Sequence, residues 1–221
     1  MKHNRIITVM TFLVACISAS VFGMDINPPT WRGLPASTAA SWEFNADNPL
    51  PSPDWEQNPF GQSQTTVYSP HPWLPLWGGM EGVWHLSGLI EIEIPNNPIE
   101  RSSKLLQIQL TWAGQYPGLI RPVIGIEAER VNGGYVPQQD IVLLSQTNIN
   151  LGLTNEPGSG QYWNHTTYLY EITPNPLRET IWISGSILVD ELVIDTICIP
   201  EPATLALLTL SCLAMRYNRR M

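Results

Sequence analysis

The chain has 221 residues, of which 43% are hydrophobic and 14% charged, and its net charge is −8. All 19 acidic residues but only six basic ones lie between Asp25 and Glu201, a net −13 for that stretch. This balance argues against a nucleic-acid partner, whose phosphates demand a basic face. Of the three cysteines, Cys16 falls in the apolar run near the start and Cys212 in the apolar tail, so Cys198 alone remains beside the domain between them and no intramolecular disulfide is expected there.

The first five residues carry Lys2 and Arg5, and an apolar run follows from Ile6 to about Phe22. A basic start, an apolar centre and small residues, in that order, mark a secretory signal peptide. Val21 and Gly23 are the small residues that suit a cut between Gly23 and Met24, so residues 1–23 are read as removable. Leu13-Val14-Ala15-Cys16 resembles a lipobox and offers an alternative cut, with acylation of Cys16. The continuation of the apolar run through Ile17, Val21 and Phe22 favours the first site.

Residues 24–80 hold ten of the 20 prolines and five of the nine tryptophans. Pro49-Leu50-Pro51-Ser52-Pro53, Asn58-Pro59 and His71-Pro72 block helix and interior strand. The expected structure is an irregular segment wrapped over a sheet, anchored by Trp31, Trp42, Trp55, Trp73 and Trp77. Its aromatic content argues against disorder. Exposed, the same tryptophans would form a platform for stacking sugars, which makes a carbohydrate-binding module with exopolysaccharide as ligand one alternative.

From Val83 the pattern has period two, the mark of half-buried strands. Ile90, Ile92 and Ile94 alternate with Glu91 and Glu93, and Pro95-Asn96-Asn97-Pro98 ends the run. Leu106, Ile108, Leu110 and Trp112 alternate with Gln107, Gln109 and Thr111, and a turn is expected over Gly114 to Gly118. Val123 to Glu129 is the next strand. Asn132-Gly133-Gly134 predicts a hairpin turn, because these residues tolerate positive φ. A strand should return near Tyr135 and continue around Ile141 to Leu144, before a polar loop from Thr147 to Gly160. Tyr162 to Ile172, Thr180 to Ser184 and Ile187 to Ile197 complete the set. Seven to nine short strands without a long helix predict an all-β domain over 24–198. An antiparallel, jelly-roll-like β-sandwich is the first choice and an antiparallel barrel the second.

Candidate chemistry is sparse. His71, His85 and His165 have no metal-ligand spacing, and no acidic calcium loop is present, so no metal or other cofactor is assigned. Glu91/Glu93, Glu127/Glu129 and Asp190/Glu191 are carboxylate pairs that a glycoside hydrolase could use as acid and base. Strand alternation explains the two glutamate pairs as solvent-facing residues without catalysis. No nucleophile elbow, phosphate loop or dinucleotide fingerprint occurs, and no catalytic residue is assigned.

The tail has three parts. Pro200-Glu201-Pro202 ends any strand by removing backbone donors. An apolar, helix-competent run from Ala203 to Met215 follows, with Leu205, Leu207, Leu208, Leu210 and Leu213. Arg216, Arg219 and Arg220 then suit an anionic cytoplasmic membrane face. A helix of that run would cover only about 20 Å, short of the roughly 30 Å of bilayer hydrocarbon. These three parts, in order at this end, resemble the PEP-CTERM sorting signal of exported bacterial proteins. The resemblance covers residues 199–221. It implies a transient inner-membrane tether, processed near Pro200-Glu201-Pro202 by exosortase, a membrane-embedded cysteine protease or transpeptidase, and delivery to the cell envelope or outside. Pro28-Pro29-Thr30-Trp31-Arg32-Gly33, Trp42-Glu43-Phe44 and Asn58-Pro59-Phe60-Gly61 also resemble the start of other exported proteins of this class. The resemblance implies transport and supplies no molecular activity for the domain.

Overall fold

A computed structural model describes residues 25–114, 121–156 and 158–199. The signal-peptide cut at Gly23 and Met24, the turn expected over 115–118 and the whole tail from Pro200 lie outside them. Two antiparallel sheets pack as a β-sandwich, as the alternation predicts. The strands are β1 (Ser37–Trp42), β2 (Trp55–Gln57), β3 (Gln64–Tyr68), β4 (Trp73–Trp77), β5 (Met80–Leu86), β6 (Leu89–Pro95) and β7 (Ser103–Gly114). They continue with β8 (Val123–Glu129), β9 (Ile141–Leu153), β10 (Tyr162–Ile172), β11 (Arg178–Ser184) and β12 (Ile187–Ile199). Among the described residues the only helical element is a single 3₁₀ turn, Gln138–Asp140. No helix there is long and apolar enough to cross a membrane.

The larger sheet runs β2-β1-β12-β7-β10-β9, and the β4–β5 hairpin joins it along the first residues of β12. The smaller sheet runs β3-β6-β11-β8. Three pairings are nested: β5 with β12, β6 with β11, and β7 with β10. Such nesting is what a long hairpin gives when it is rolled across two sheets, the winding of a jelly roll. The next nested pair would be β8 with β9, but β9 instead extends the larger sheet beside β10.

The core follows from the alternation. Ile90, Ile92 and Ile94 of β6 and Ile181 and Ile183 of β11 meet Leu106, Ile108 and Leu110 of β7 between the sheets, all essentially inaccessible. Each such side chain contributes about 1.5–3 kcal/mol by leaving water. A second small cluster of Val83, Ala113, Trp163 and Leu188 sits apart from it, with Leu74, Trp77 and Met80 of the β4–β5 hairpin packed against it. Gly78 and Gly79 make the tight turn of that hairpin at φ 61° and 88°, the left-handed geometry that two-residue hairpin loops require. The Trp163 indole donates to the Gly78 carbonyl at 3.0 Å.

Four expectations need correction. Residues 24–80 are not irregular: they contain β1 to β4, and β1 is buried along its full length between β12 and β2. The prolines sit beside these strands, or in the case of Pro75 on a strand that pairs on one edge only, where a missing donor costs little. The described residues hold twelve strands, above the expected seven to nine. The polar stretch after Thr147 is no loop up to Leu153, because β9 runs from Ile141 to Leu153 as an edge strand. Its polar sequence reflects solvent exposure of residues 142–150. Leu144 and Leu151 are each skipped in its register with β10, two bulges of the kind that blunt a free edge. Finally, the turn at Gly133 and Gly134 forms (Gly133 N–H donates to Arg130 O at 3.1 Å), but the returning chain makes one bridge at Tyr135 and no strand there.

The last strand changes its facing part-way along. A register shift at Asp190 separates Val189 from Glu191. Before it the odd residues Ile187 and Val189 face the core, and after it the even residues Leu192 and Ile194 do. A bulge inserts one unpaired residue and so reverses the facing of everything beyond it.

Candidate functional site

The outer face of the larger sheet is polar by sequence: Gln107, Gln109 and Thr111 on β7, His165 on β10, and Glu191 and Asp195 on β12. Period two turns these side chains away from the core, so they would meet solvent. They are buried instead, because the segment from Asp25 to Ala36 lies over them. Gly33, at φ 80°, and hydrogen bonds from Arg32 N–H to Pro29 O and from Leu34 N–H to Trp31 O curl that segment onto the sheet.

The segment meets the buried side chains of Gln107, Gln109 and Asp195 with direct hydrogen bonds, as burial demands. Asn27 N–H donates to Gln109 Oε1 at 2.9 Å, and Gln107 Nε2 donates to Asn27 O at 2.7 Å. Asn27 Nδ2 donates to Thr167 Oγ1, and Gln109 Nε2 to Asp25 Oδ1 at 2.8 Å. Arg32 forks onto Asp195, Nε to Oδ1 at 2.5 Å and Nη2 to Oδ2 at 2.6 Å, and its Nη1 also contacts Asp25. Burial opposes the charge on Arg32, but the hydrogen bonds to Asp195 and Asp25 outweigh it and raise its pKa above the ordinary value. Burial lowers the pKa of His165, only partly offset by Asp25, so the imidazole is neutral at pH 7.

Next to this network is a pocket of about 140 Å³ lined by Asp25, Arg32, Ser41, Trp55, Glu191 and Val193. It is apolar in its walls and small. Thr111 Oγ1 lies 3.0 Å from His165 Nδ1 and 3.5 Å from Glu191 Oε2, a hydroxyl–imidazole–carboxylate grouping. Thr111 is fully buried and His165 is 1% exposed. A nucleophile must reach a substrate atom, so this grouping offers structure and no reacting centre.

The sequence-derived candidates separate. None of the nine tryptophans is exposed: Trp42, Trp84, Trp112 and Trp163 are buried, and Trp31, Trp55, Trp73, Trp77 and Trp182 are half-buried. The tryptophans of residues 24–80 thus serve as the anchors first expected, in core and cover, and none presents an exposed face for stacking. Glu93 and Glu129, from different pairs, are brought together across β11 by Arg178, at 2.9 Å and 2.5 Å. The three line a shallow pocket of about 50 Å³ with Glu127, Tyr135 and Thr180 on the face of the small sheet. Both carboxylates are spent on one guanidinium, with no cleft between them for a sugar ring. His71 and His85 stack at 4.3 Å, apart from His165, and among the described residues no three metal-ligating side chains come together.

The third pair is split by the bulge. Glu191 lies under the covering segment, while Asp190 is held by burial, and secondarily by Glu43, at a pKa of about 7, above its ordinary 3.8. Between those values the folded state keeps a proton that the unfolded chain has released. Stability therefore falls as pH rises from about 4 to about 7 and levels off above. Asp190→Asn should raise the unfolding temperature relative to the parent at pH 8, and the gain should vanish toward pH 4. A thermal melt series across that range reads it directly.

No family model matches the chain, and no curated protein matches it either. The sorting residues Pro200, Glu201 and Pro202, the apolar run with Ala203 and Met215, and Arg216, Arg219 and Arg220 lie beyond the described residues. Two buried charges that the sequence reading passed over are Lys104 and Glu179. Lys104 shares its parity with Leu106, Ile108 and Leu110, and Glu179 shares its parity with Ile181 and Ile183. That parity alone puts both charges on the core side.

Proposed function

We propose that the chain is the precursor of an exported β-sandwich domain, carried out by its first 23 residues and sorted by exosortase through its PEP-CTERM tail. Exosortase and the inner membrane are its transient partners, and the cell envelope or exterior is its destination. The observation that carries this is the position of β12. That strand lies inside the larger sheet, between β7 on one edge and β1 and β5 on the other, and it runs to Ile199. Processing at Pro200-Glu201-Pro202 leaves every strand of the sandwich whole, whereas a cut a few residues earlier would remove a central strand. At the other end, Asp25 takes part in the buried network, and a cut between Gly23 and Met24 spares it.

Replacing Pro200, Glu201 and Pro202 by alanine should leave unprocessed chain in the inner membrane of an exosortase-bearing host. Immunoblots of membrane and released fractions read the outcome. Release equal to that of the parent sinks the motif assignment.

A further inference from the structure

The β6–β7 connection is short, so Asn96, just after β6, and Lys104, the second residue of β7, meet at one end of the core. Glu179 of β11 faces them there. Lys104 and Glu179 are fully buried and Asn96 is 3% exposed. Lys104 Nζ lies 2.7 Å from Glu179 Oε1 and 2.9 Å from Oε2, and it contacts Asn96 Oδ1. Asn96 Nδ2 donates to Glu179 Oε2. One carboxylate thus touches both nitrogens, while the amine lies against the carboxamide carbonyl.

We propose that Lys104 and Asn96 condense into an intramolecular isopeptide bond, with Glu179 carrying the protons. Lys104 Nζ gives one proton to Glu179 and attacks Cγ of Asn96. The Nζ–Cγ bond forms, the Cγ–Nδ2 bond breaks, and Nδ2 leaves as ammonia with a second proton that originated on Nζ, relayed through the carboxyl group. Glu179 ends protonated. No oxidant, reductant or cofactor enters, and the charges on both sides balance.

Three features favour the step. The reactants are held in contact, which replaces a bimolecular encounter by an oriented one. Burial lowers the pKa of Lys104 against the opposing charge of Glu179, and a desolvated lysine is the nucleophilic form. Ile94, Leu106 and Ile181, the next inward-facing residues on the three strands, are buried and exclude the water that would compete. The product also replaces a buried ion pair, whose desolvation is costly, by a neutral amide and a neutral acid. The bond joins the end of β6 in the small sheet to β7 in the large one, a covalent staple in a domain whose one described cysteine, Cys198, is free and buried.

Tryptic mapping of the folded full chain tests the bond. Arg101 lies between the two residues, so trypsin cuts inside the loop. The expected result is the Asn96 and Lys104 peptides joined, at a mass lower than their sum by one ammonia. Recovery of the two as separate, unmodified peptides, with cleavage at Lys104, overturns the proposal. Glu179→Gln keeps a hydrogen-bonding side chain in place and should yield the separate peptides from folded protein. Joined peptides from that variant would overturn the role given to Glu179. The parent map decides the bond whether or not the variant folds.

Discussion

Lys104→Ala should destabilise the domain by about 3–5 kcal/mol, the cost of leaving one member of a buried ion pair without its partner. The substitution strands the Glu179 carboxylate at 0% exposure and deprives Asn96 Oδ1 of its donor. It also opens a void between the sheets, because the Lys104 stem fills space beside Leu106. Loss of the proposed amide acts in the same direction. The double variant Lys104→Met/Glu179→Leu removes both charges and keeps the volume, so it should recover the part of the loss due to the stranded carboxylate. It should not recover the part due to the proposed amide and to the buried Asn96 side chain, which loses both partners. Urea unfolding midpoints measure both. A cost below about 1 kcal/mol for Lys104→Ala, the level of an exposed pair, would contradict the buried cluster.

Arg32→Ala should cost about 2–4 kcal/mol, less than the fully buried case because Arg32 keeps a fifth of its surface in water. Asp195 has no accessible surface, and Arg32 holds both of its oxygens. Without the fork, the segment from Asp25 to Ala36 loses its latch, and the polar face of Gln107, Gln109 and His165 opens to solvent. Amide exchange should accelerate in β7 and β10, which pair under that segment, and hardly change in the small sheet. Arg32→Lys should rescue poorly, because an ammonium cannot reproduce the two parallel bonds. Arg32→Ala/Asp195→Asn should restore part of the stability by removing the stranded charge. Uniform acceleration in both sheets would show that the segment is no separate cover.

The difference between what was legible and what was not has a physical pattern. Ile90, Ile92 and Ile94 announce β6, and Leu106 to Trp112 announce β7, because one face of each strand meets the core and the other does not. Where a strand is buried on both faces, as Ser37–Trp42 is, alternation disappears and nearby prolines mask it. Where both faces are wet, as in β9, the sequence reads as loop. Asp190 hides a change of parity, since a bulge has no compositional signature there. The network under Asp25 to Ala36 depends on a segment folding back over the sheet, a tertiary event that strand periodicity does not contain. Lys104 and Glu179 were within reach: a charge in phase with a run of buried isoleucines and leucines requires a partner on the facing sheet.

The sorting assignment rests on residues at the two ends of the sequence, and the sandwich between them sets where cuts are tolerated. Mass-spectrometric mapping of both termini of the protein recovered from an exosortase-bearing host tests this most directly. The expected mature chain begins at Met24 and ends close to Pro200-Glu201-Pro202, with β12 intact to Ile199. A mature chain that still carries Arg216, Arg219 and Arg220, or one that is cut within β12, would contradict it.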